Sequence, residues 1–297
     1  MPGISSVDNC FSSAFLGEEV LSPTSFAPAN KTKDNDHDSQ KYDKIDLKIY
    51  QTRNETKRPP TKQRCIQNLL SRQDEINIIF AAAPSQKEFL SALVATPSIE
   101  WPRINAYHMD EYVGFGIDDT RSFQHFLSEA IFSRVPFKSV NLINGANDPD
   151  AEAARYGTLL DKAPTHIAFM GIGENGHIAF NDPPTANFRD EVSVKKVQLD
   201  EICRQQQIND GCFPSLNAVP RFALTVTVPR LAASQYIFCI VPTATKGSAV
   251  YATLTGPIDE SCPASILRRT EHVSMYIDTD CAKTLSQMEK STPPSKL

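Results

Sequence analysis

Between about residues 46 and 285, short apolar runs alternate with segments of helical spacing. Ile76-Asn-Ile-Ile-Phe-Ala-Ala-Ala is almost uninterruptedly apolar and stops at Pro84, the mark of a strand buried on both faces. Behind it Phe89, Leu90, Leu93 and Val94 fall on one side of a helix, with Ser85 placed to cap its start. Arg103–Met109 predicts a second strand, Ser122–Ser133 a helix and Val140–Ile143 a third strand. Asp148-Pro149 is a start signal for a helix over Asp150–Leu160. Thr165–Met170 predicts a fourth strand, ending at Gly171-Ile-Gly173, and Ala223–Val228, Tyr236–Val241 and Val273–Ile277 are further strand candidates. Continuous apolar strands separated by helices predict an α/β fold, a mostly parallel sheet covered by helices on both faces. In such sheets the chemistry sits beyond the carboxyl ends of the strands.

Outside this stretch the patterning stops. Residues 1–45 are rich in Ser, Asn, Asp and Lys without periodicity, and 286–297 are similar. Both are expected to be flexible tails around a single domain, 46–285. The start has neither a basic n-region nor an apolar h-region, and Asp8, Glu18 and Glu19 come well before the first arginine, Arg53. No secretory or mitochondrial leader is read there. No internal repeat is apparent. A net charge of -5 argues against a general nucleic-acid binder, and the lack of a long apolar run argues against a membrane span. Seven scattered cysteines without a C-x-x-C pair fit reduced thiols in a cytoplasmic protein better than a disulfide framework or a zinc site.

Three of the strand ends carry unusual chemistry. His108-Met-Asp110-Glu111-Tyr112 places two adjacent carboxylates where the chain leaves the second strand. Solvated acids or a helix cap would account for such a pair. Adjacent side chains diverge, however, so one is expected to face a cleft and the other to support the loop. Gly171-Ile-Gly173-Glu-Asn175-Gly176-His177 fits G-x-G-x-x-G formally, but no long amphipathic helix follows it and no acidic residue closes a second strand at the right distance. It is not read as a dinucleotide site. His177 has Asp182 nearby, and a carboxylate can orient an imidazole and set its protonation, as an acid/base histidine requires. Lys246, entering a helix directly after an apolar strand, suits an anionic substrate group; alone, it would be an ordinary surface lysine. The types of His108, Asp110, Glu111 and His177 permit a metal, yet no H-E-x-x-H or paired-histidine spacing occurs, and none is expected.

Taken together these segments are familiar. Asn105-Ala-Tyr-His-Met-Asp110-Glu-Tyr-Val-Gly and Phe169-Met-Gly-Ile-Gly-Glu-Asn-Gly-His177-Ile-Ala-Phe-Asn-Asp182-Pro, with Lys246 after a later strand, resemble the glucosamine-6-phosphate deaminase/isomerase family over about residues 46–285. The 6-phosphogluconolactonases share that fold and a related glycine-histidine loop. The resemblance implies a Rossmann-like three-layer domain acting on a small sugar phosphate without a metal or organic cofactor. It matches Asp110 to the base that moves a proton between C2 and C1 of the opened sugar. His177 matches the group that opens the ring, and Asp182 and Asn175 match the groups that orient it. Ser85, Lys246, Gly173, Gly176, Glu111 and Arg204 fall on the substrate and phosphate side.

The chain also departs from the family's pattern. Ala81-Ala-Ala-Pro-Ser85-Gln86 replaces a loop that commonly holds Gly and Thr, Asn175 stands where Asp is common, and Asp182 where Glu is common. The shorter Asp182 leaves His177 held differently or through water. Arg204 is the candidate for the phosphate arginine. The leading expectation is deamination with isomerisation of glucosamine 6-phosphate. Lactone hydrolysis and a catalytically silent sugar-phosphate regulator are the alternatives. Without a coiled-coil heptad or other interface signature, a homo-oligomer stays open beside a monomer.

Overall fold

The computed structural model describes residues 32–34, 37–56 and 60–291. Its strands are β1 (Thr32–Asp34), β2 (His37–Tyr42), β3 (Ile45–Tyr50), β4 (Ile76–Phe80), β5 (Ile104–His108), β6 (Asp110–Tyr112), β7 (Ser139–Asn141), β8 (Ile167–Met170), β9 (Val194–Gln198), β10 (Phe222–Val226), β11 (Tyr236–Ile240) and β12 (Val273–Asp278). Nine form one sheet in the order β1-β2-β3-β12-β11-β8-β4-β5-β7. From β3 to β7 every pair is parallel. The α/β reading therefore holds, and the side-chain period of two sorts the interior. Ile79, Met170, Cys239 and Met275 point into an aliphatic layer, while Phe80, Phe169, Phe238 and Tyr276 point into an aromatic one. Helix Pro149–Asp161 covers the first with Ala153, Tyr156 and Leu160, and helix Lys87–Val94 covers the second with Phe89, Leu90 and Leu93.

From β4 the chain builds outward through β5 to β7, then returns to the other side of β4 with β8 and continues to β11 and β12. The loops after β4 and β8 thus diverge, and that reversal opens a crevice at the carboxyl ends of these strands.

Several expectations change. Ala223–Val228 was expected in the parallel sheet, but β10 instead pairs antiparallel with β6 and β9 in a separate three-stranded sheet. Ala223 packs into a small core with Tyr112 and Phe180, while Leu224 and Val226 join the aliphatic layer. Burial on both faces gives such a strand the same apolar pattern as a central parallel one. The expected N-terminal tail ends before residue 45: β2 pairs antiparallel with β3 from Asp38↔Ile49 to Tyr42↔Ile45, across a turn where Asp43 has φ +49. This is an outer strand of the sheet, where polar residues are tolerated, so no apolar run announces it. Residues 1–31 lie outside the described residues. At the other end helix Thr279–Ser291 takes in the first half of the expected tail, residues 286–291, and 292–297 lie outside the described residues.

Candidate active site

Loops from the carboxyl ends of β4, β5, β8 and β11 meet around one cleft, lined among others by Arg53, Ser85, Asp110, Gly173, His177, Gln206, Thr243 and Lys246. The turn after β8 builds the seat of the histidine. The Gly173 N–H donates to His177 O at 2.9 Å and the Gly176 N–H to Gly173 O at 3.0 Å. A Cβ on Gly173 would lie 2.1 Å from the His177 ring, and one on Gly176, with φ +83, would lie 2.7 Å from Cys262 Sγ. Gly173 makes room for the imidazole, and Gly176 for the Cys262 side chain, in a left-handed turn that favours glycine. Both amides are spent inside the turn; of the two glycines expected on the substrate side, Gly173 lines the cleft and Gly176 does not.

His177 Nδ1 lies 2.9 Å from Asp182 Oδ1, a direct contact despite the shorter side chain. The same oxygen accepts from Asn175 Nδ2 at 3.1 Å, and Oδ2 accepts from the Asp200 N–H at 3.1 Å. Asn175 Oδ1 in turn accepts from the His177 N–H at 3.1 Å. Burial by itself would raise the Asp182 carboxyl, but His177, Asn175 and the Asp200 amide together hold it below the usual carboxylate range. It remains an anion beside the imidazole.

The adjacent acids separate as their geometry predicts. Asp110 begins β6 at the point where the chain crosses from the large sheet to the small one, opposite Thr225, and faces the cleft with Oδ1 unpartnered. Burial, then the charge of Glu111, pushes its carboxyl well above the ordinary value. Glu111 is turned away. Its Oε1 accepts from Tyr112 N at 2.9 Å and Phe123 N at 3.0 Å, and Oε2 from Gln124 N at 2.8 Å. Burial raises it to about 7 in spite of these three donors. Glu111 holds a loop to a helix start and is not among the cleft-lining residues, which corrects its expected place on the substrate side. His108 accepts from Ile143 N at 2.8 Å through Nε2, and burial lowers it to about 3, so it is a neutral structural residue.

Lys246 is 7% exposed and its Nζ has no partner. Burial lowers its pKa, against the opposing charges of Asp210 and Glu174. Ser85 lines the same cleft but caps no helix: helix Lys87–Val94 starts behind Gln86 without a side-chain cap. Arg204 is elsewhere. Its Nη2 donates to Leu216 O at 2.6 Å and Val219 O at 3.1 Å, bracing helix Glu201–Asn209 from outside, while Gln206 and Gln207 of that helix turn to the cleft. The arginine that lines the cleft is Arg53, just beyond β3, with Nη2 2.9 Å from both Pro84 O and Glu88 Oε2. Its signal was the alternation Ile45-x-Leu47-x-Ile49, which marks a strand and makes Arg53 another strand-end residue.

Residues 61–276 match the model of the family described as glucosamine-6-phosphate isomerases/6-phosphogluconolactonase. The chain belongs to this family. A glucosamine-6-phosphate deaminase of Listeria innocua is 32% identical over 212 residues, 71% of this chain and 88% of that protein. Among solved structures, a monomeric glucosamine-6-phosphate deaminase aligns with TM-score 0.71 at 28% identity, covering 80% of this chain and 99% of that one. The 6-phosphogluconolactonase of Trypanosoma brucei aligns with TM-score 0.66 at 17% identity, over 82% of this chain and 100% of its own, and shares the fold. The family's members are enzymes of sugar phosphates. Among the described residues no helix is long and apolar enough to cross a membrane.

Proposed function

We propose that this chain converts glucosamine 6-phosphate and water to fructose 6-phosphate and ammonia in the cytoplasm. The observation that carries this reading is an unpartnered, buried Asp110 carboxylate oxygen in the same cleft as the His177–Asp182 pair. Lactone hydrolysis needs one group to activate water; an aldose–ketose shift also needs a group that takes a proton and returns it one carbon away. Asp110 fits that second task, because its burial strengthens the carboxylate as a base.

In this reading Lys246, Arg53 and Ser85 hold the phosphate. His177, oriented by Asp182 and Asn175, transfers the proton that opens the sugar ring. Asp110 removes the C2 proton and delivers it to C1 while an amine proton passes to O1, which turns the C2 amine into an imine and C1 into a hydroxymethyl group. Water adds to that carbon, ammonia leaves with the nitrogen, and the C2 ketone remains. None of these steps calls on a metal or an organic cofactor; positioning and proton transfer suffice.

The test follows ammonia and fructose 6-phosphate together with purified protein and glucosamine 6-phosphate. Equal yields are expected, with kcat lowered by about 10²- to 10⁴-fold in Asp110→Asn and KM little changed. Wild-type turnover in Asp110→Asn sinks the assignment of the base. Turnover of 6-phosphogluconolactone alone, or tight sugar-phosphate binding with no product, replaces the reading with a lactonase or a sensor.

A further inference from the structure

One residue at the histidine is used by none of these steps. Cys203, on helix Glu201–Asn209, is fully buried, with its thiol beside the Asp182 carboxylate. His177 Nδ1, a carboxylate oxygen of Asp182 and Cys203 Sγ all lie within 4.8 Å of one another. The three residues are 7%, 0% and 0% exposed. Although Nδ1 is 2.9 Å from Asp182 Oδ1, it makes no aligned hydrogen bond there, so a buried ring nitrogen points into this group without a proper partner. The sequence held no such pattern, because the three residues come from a turn, the loop behind it and a separate helix.

We propose that His177, Asp182 and Cys203 form an inhibitory site for a soft divalent cation of the zinc and cadmium class. A mixed nitrogen, oxygen and sulfur donor set suits zinc, whereas magnesium and calcium require oxygen shells. Donors in a tetrahedral zinc shell stand ~3.3–3.8 Å apart, so shifts of about an ångström close the site. His177 forms part of the cleft wall, which gives the ion its way in, and water completes the fourth position. On binding, the Cys203 thiol gives up its proton to solvent, as does Nδ1 where it carries one. The thiolate, the ring nitrogen and the carboxylate become ligands, and the metal keeps its charge state. His177 is then fixed by the ion in place of Asp182. The ion is an inhibitor and takes no part in turnover. Its binding rests on the geometry alone; the inhibition rests on the deaminase reading.

The intact protein is titrated with cobalt(II), whose thiolate complexes absorb in the near ultraviolet, and with zinc by equilibrium dialysis. One ion per chain and a thiolate band are expected. Cys203→Ser should abolish the band and weaken zinc binding by about tenfold or more, and His177→Gln should weaken it similarly. Cys65→Ser and Cys212→Ser, at partly exposed thiols that are not among the three donors, should leave both unchanged. Folded wild-type protein that binds no ion in excess cobalt and zinc overturns the site, as does an unchanged band in Cys203→Ser. Zinc should inhibit the turnover of glucosamine 6-phosphate, and Cys203→Ser should need about tenfold more zinc for the same effect. Turnover that persists with the ion bound overturns the inhibitory role. A bound ion in a protein that never turns the sugar over leaves the site standing and removes the deaminase reading.

Discussion

The loops leaving β4 and β11 flank β8 on either side and follow the same course. A single 3-10 turn, Pro84–Gln86 in one and Ala244–Lys246 in the other, leads directly into a helix at Lys87 or Gly247. The last residue of each turn has nearly the same backbone, φ -90 and ψ -14 at Gln86, φ -90 and ψ -8 at Lys246, and both side chains are buried. Their chemistry differs. Gln86 spends its Nε2 on the carbonyl of Ile240 at 3.1 Å, tying the first loop to the end of β11, while Lys246 leaves its Nζ unpartnered beside the cleft. The residues that enter the turns differ as well. Ala83 is extended at φ -160, but Thr243 sits at φ +88 and ψ 148, a conformation nearly confined to glycine, with its N–H fixed by both Asp278 oxygens at 3.1 and 3.0 Å. One backbone solution thus serves as a tie between strands in one loop and presents a cation in the other. The two turns share no residues, so the repeat exists in the backbone and not in the sequence.

Between these two loops the largest effect should come from exchanging the two buried side chains for apolar ones. Lys246→Met removes the charge that would meet a phosphate and should raise KM about 30- to 100-fold, the loss of a charge-assisted contact worth ~2–3 kcal/mol. Gln86→Met should leave KM within about threefold and instead cost ~1–2 kcal/mol of stability, because the Ile240 carbonyl loses its donor. Steady-state kinetics and urea unfolding of the two variants separate these outcomes. Equal KM values would erase the distinction between the loops.

A second buried lysine shows what burial does without a cleft. Lys62 lies with Nζ 3.7 Å above the Tyr276 ring and donates to Thr56 O at 3.1 Å, and burial, with Lys48 nearby, lowers its pKa to about 7. Its ordinary value is 10.5, so between about pH 7 and 10.5 the unfolded chain holds a proton that the folded protein has released. Stability should therefore rise with pH across that window, and below it the full cost of burying the charge persists. Lys62→Met should flatten the rise and stabilise the protein at pH 7 by ~1–3 kcal/mol. Urea unfolding as a function of pH checks both; a Lys62→Met profile parallel to that of the wild type would show that the slope comes from other groups.

The smallest effects test the strain. Thr243→Gly should stabilise the fold by ~1 kcal/mol, since glycine adopts φ +88 without penalty. Ala83→Gly, at the matching position with an ordinary φ, should destabilise it by ~0.5–1 kcal/mol. Shifts of the same sign in thermal unfolding would mean that the two loops do not differ in strain.

Most of the central strands were legible because burial on both faces writes a continuous apolar run, as in Ile76–Phe80 and Ile167–Met170. The same signal misplaced Ala223–Val226, since a strand covered on both sides looks alike in either sheet. The polar β2 wrote no signal at all. Asp110, His177, Asp182 and Lys246 stood out because strand ends in a parallel sheet are where reactive side chains collect.

What the sequence determined by itself is therefore local: the strands, their buried faces, the glycine turn that seats His177, and the loaded strand ends. Which of those residues share a cleft was decided by tertiary structure. Arg53 enters it because β3 pairs with β12 at the far side of the sheet, and Arg204 leaves it because its helix turns that residue outward. Cys203 meets His177 only because a helix packs over the turn. The physical reason is that periodicity records how a segment meets the core, whereas a site depends on the relative placement of segments far apart in the chain, which strand order and helix rotation set.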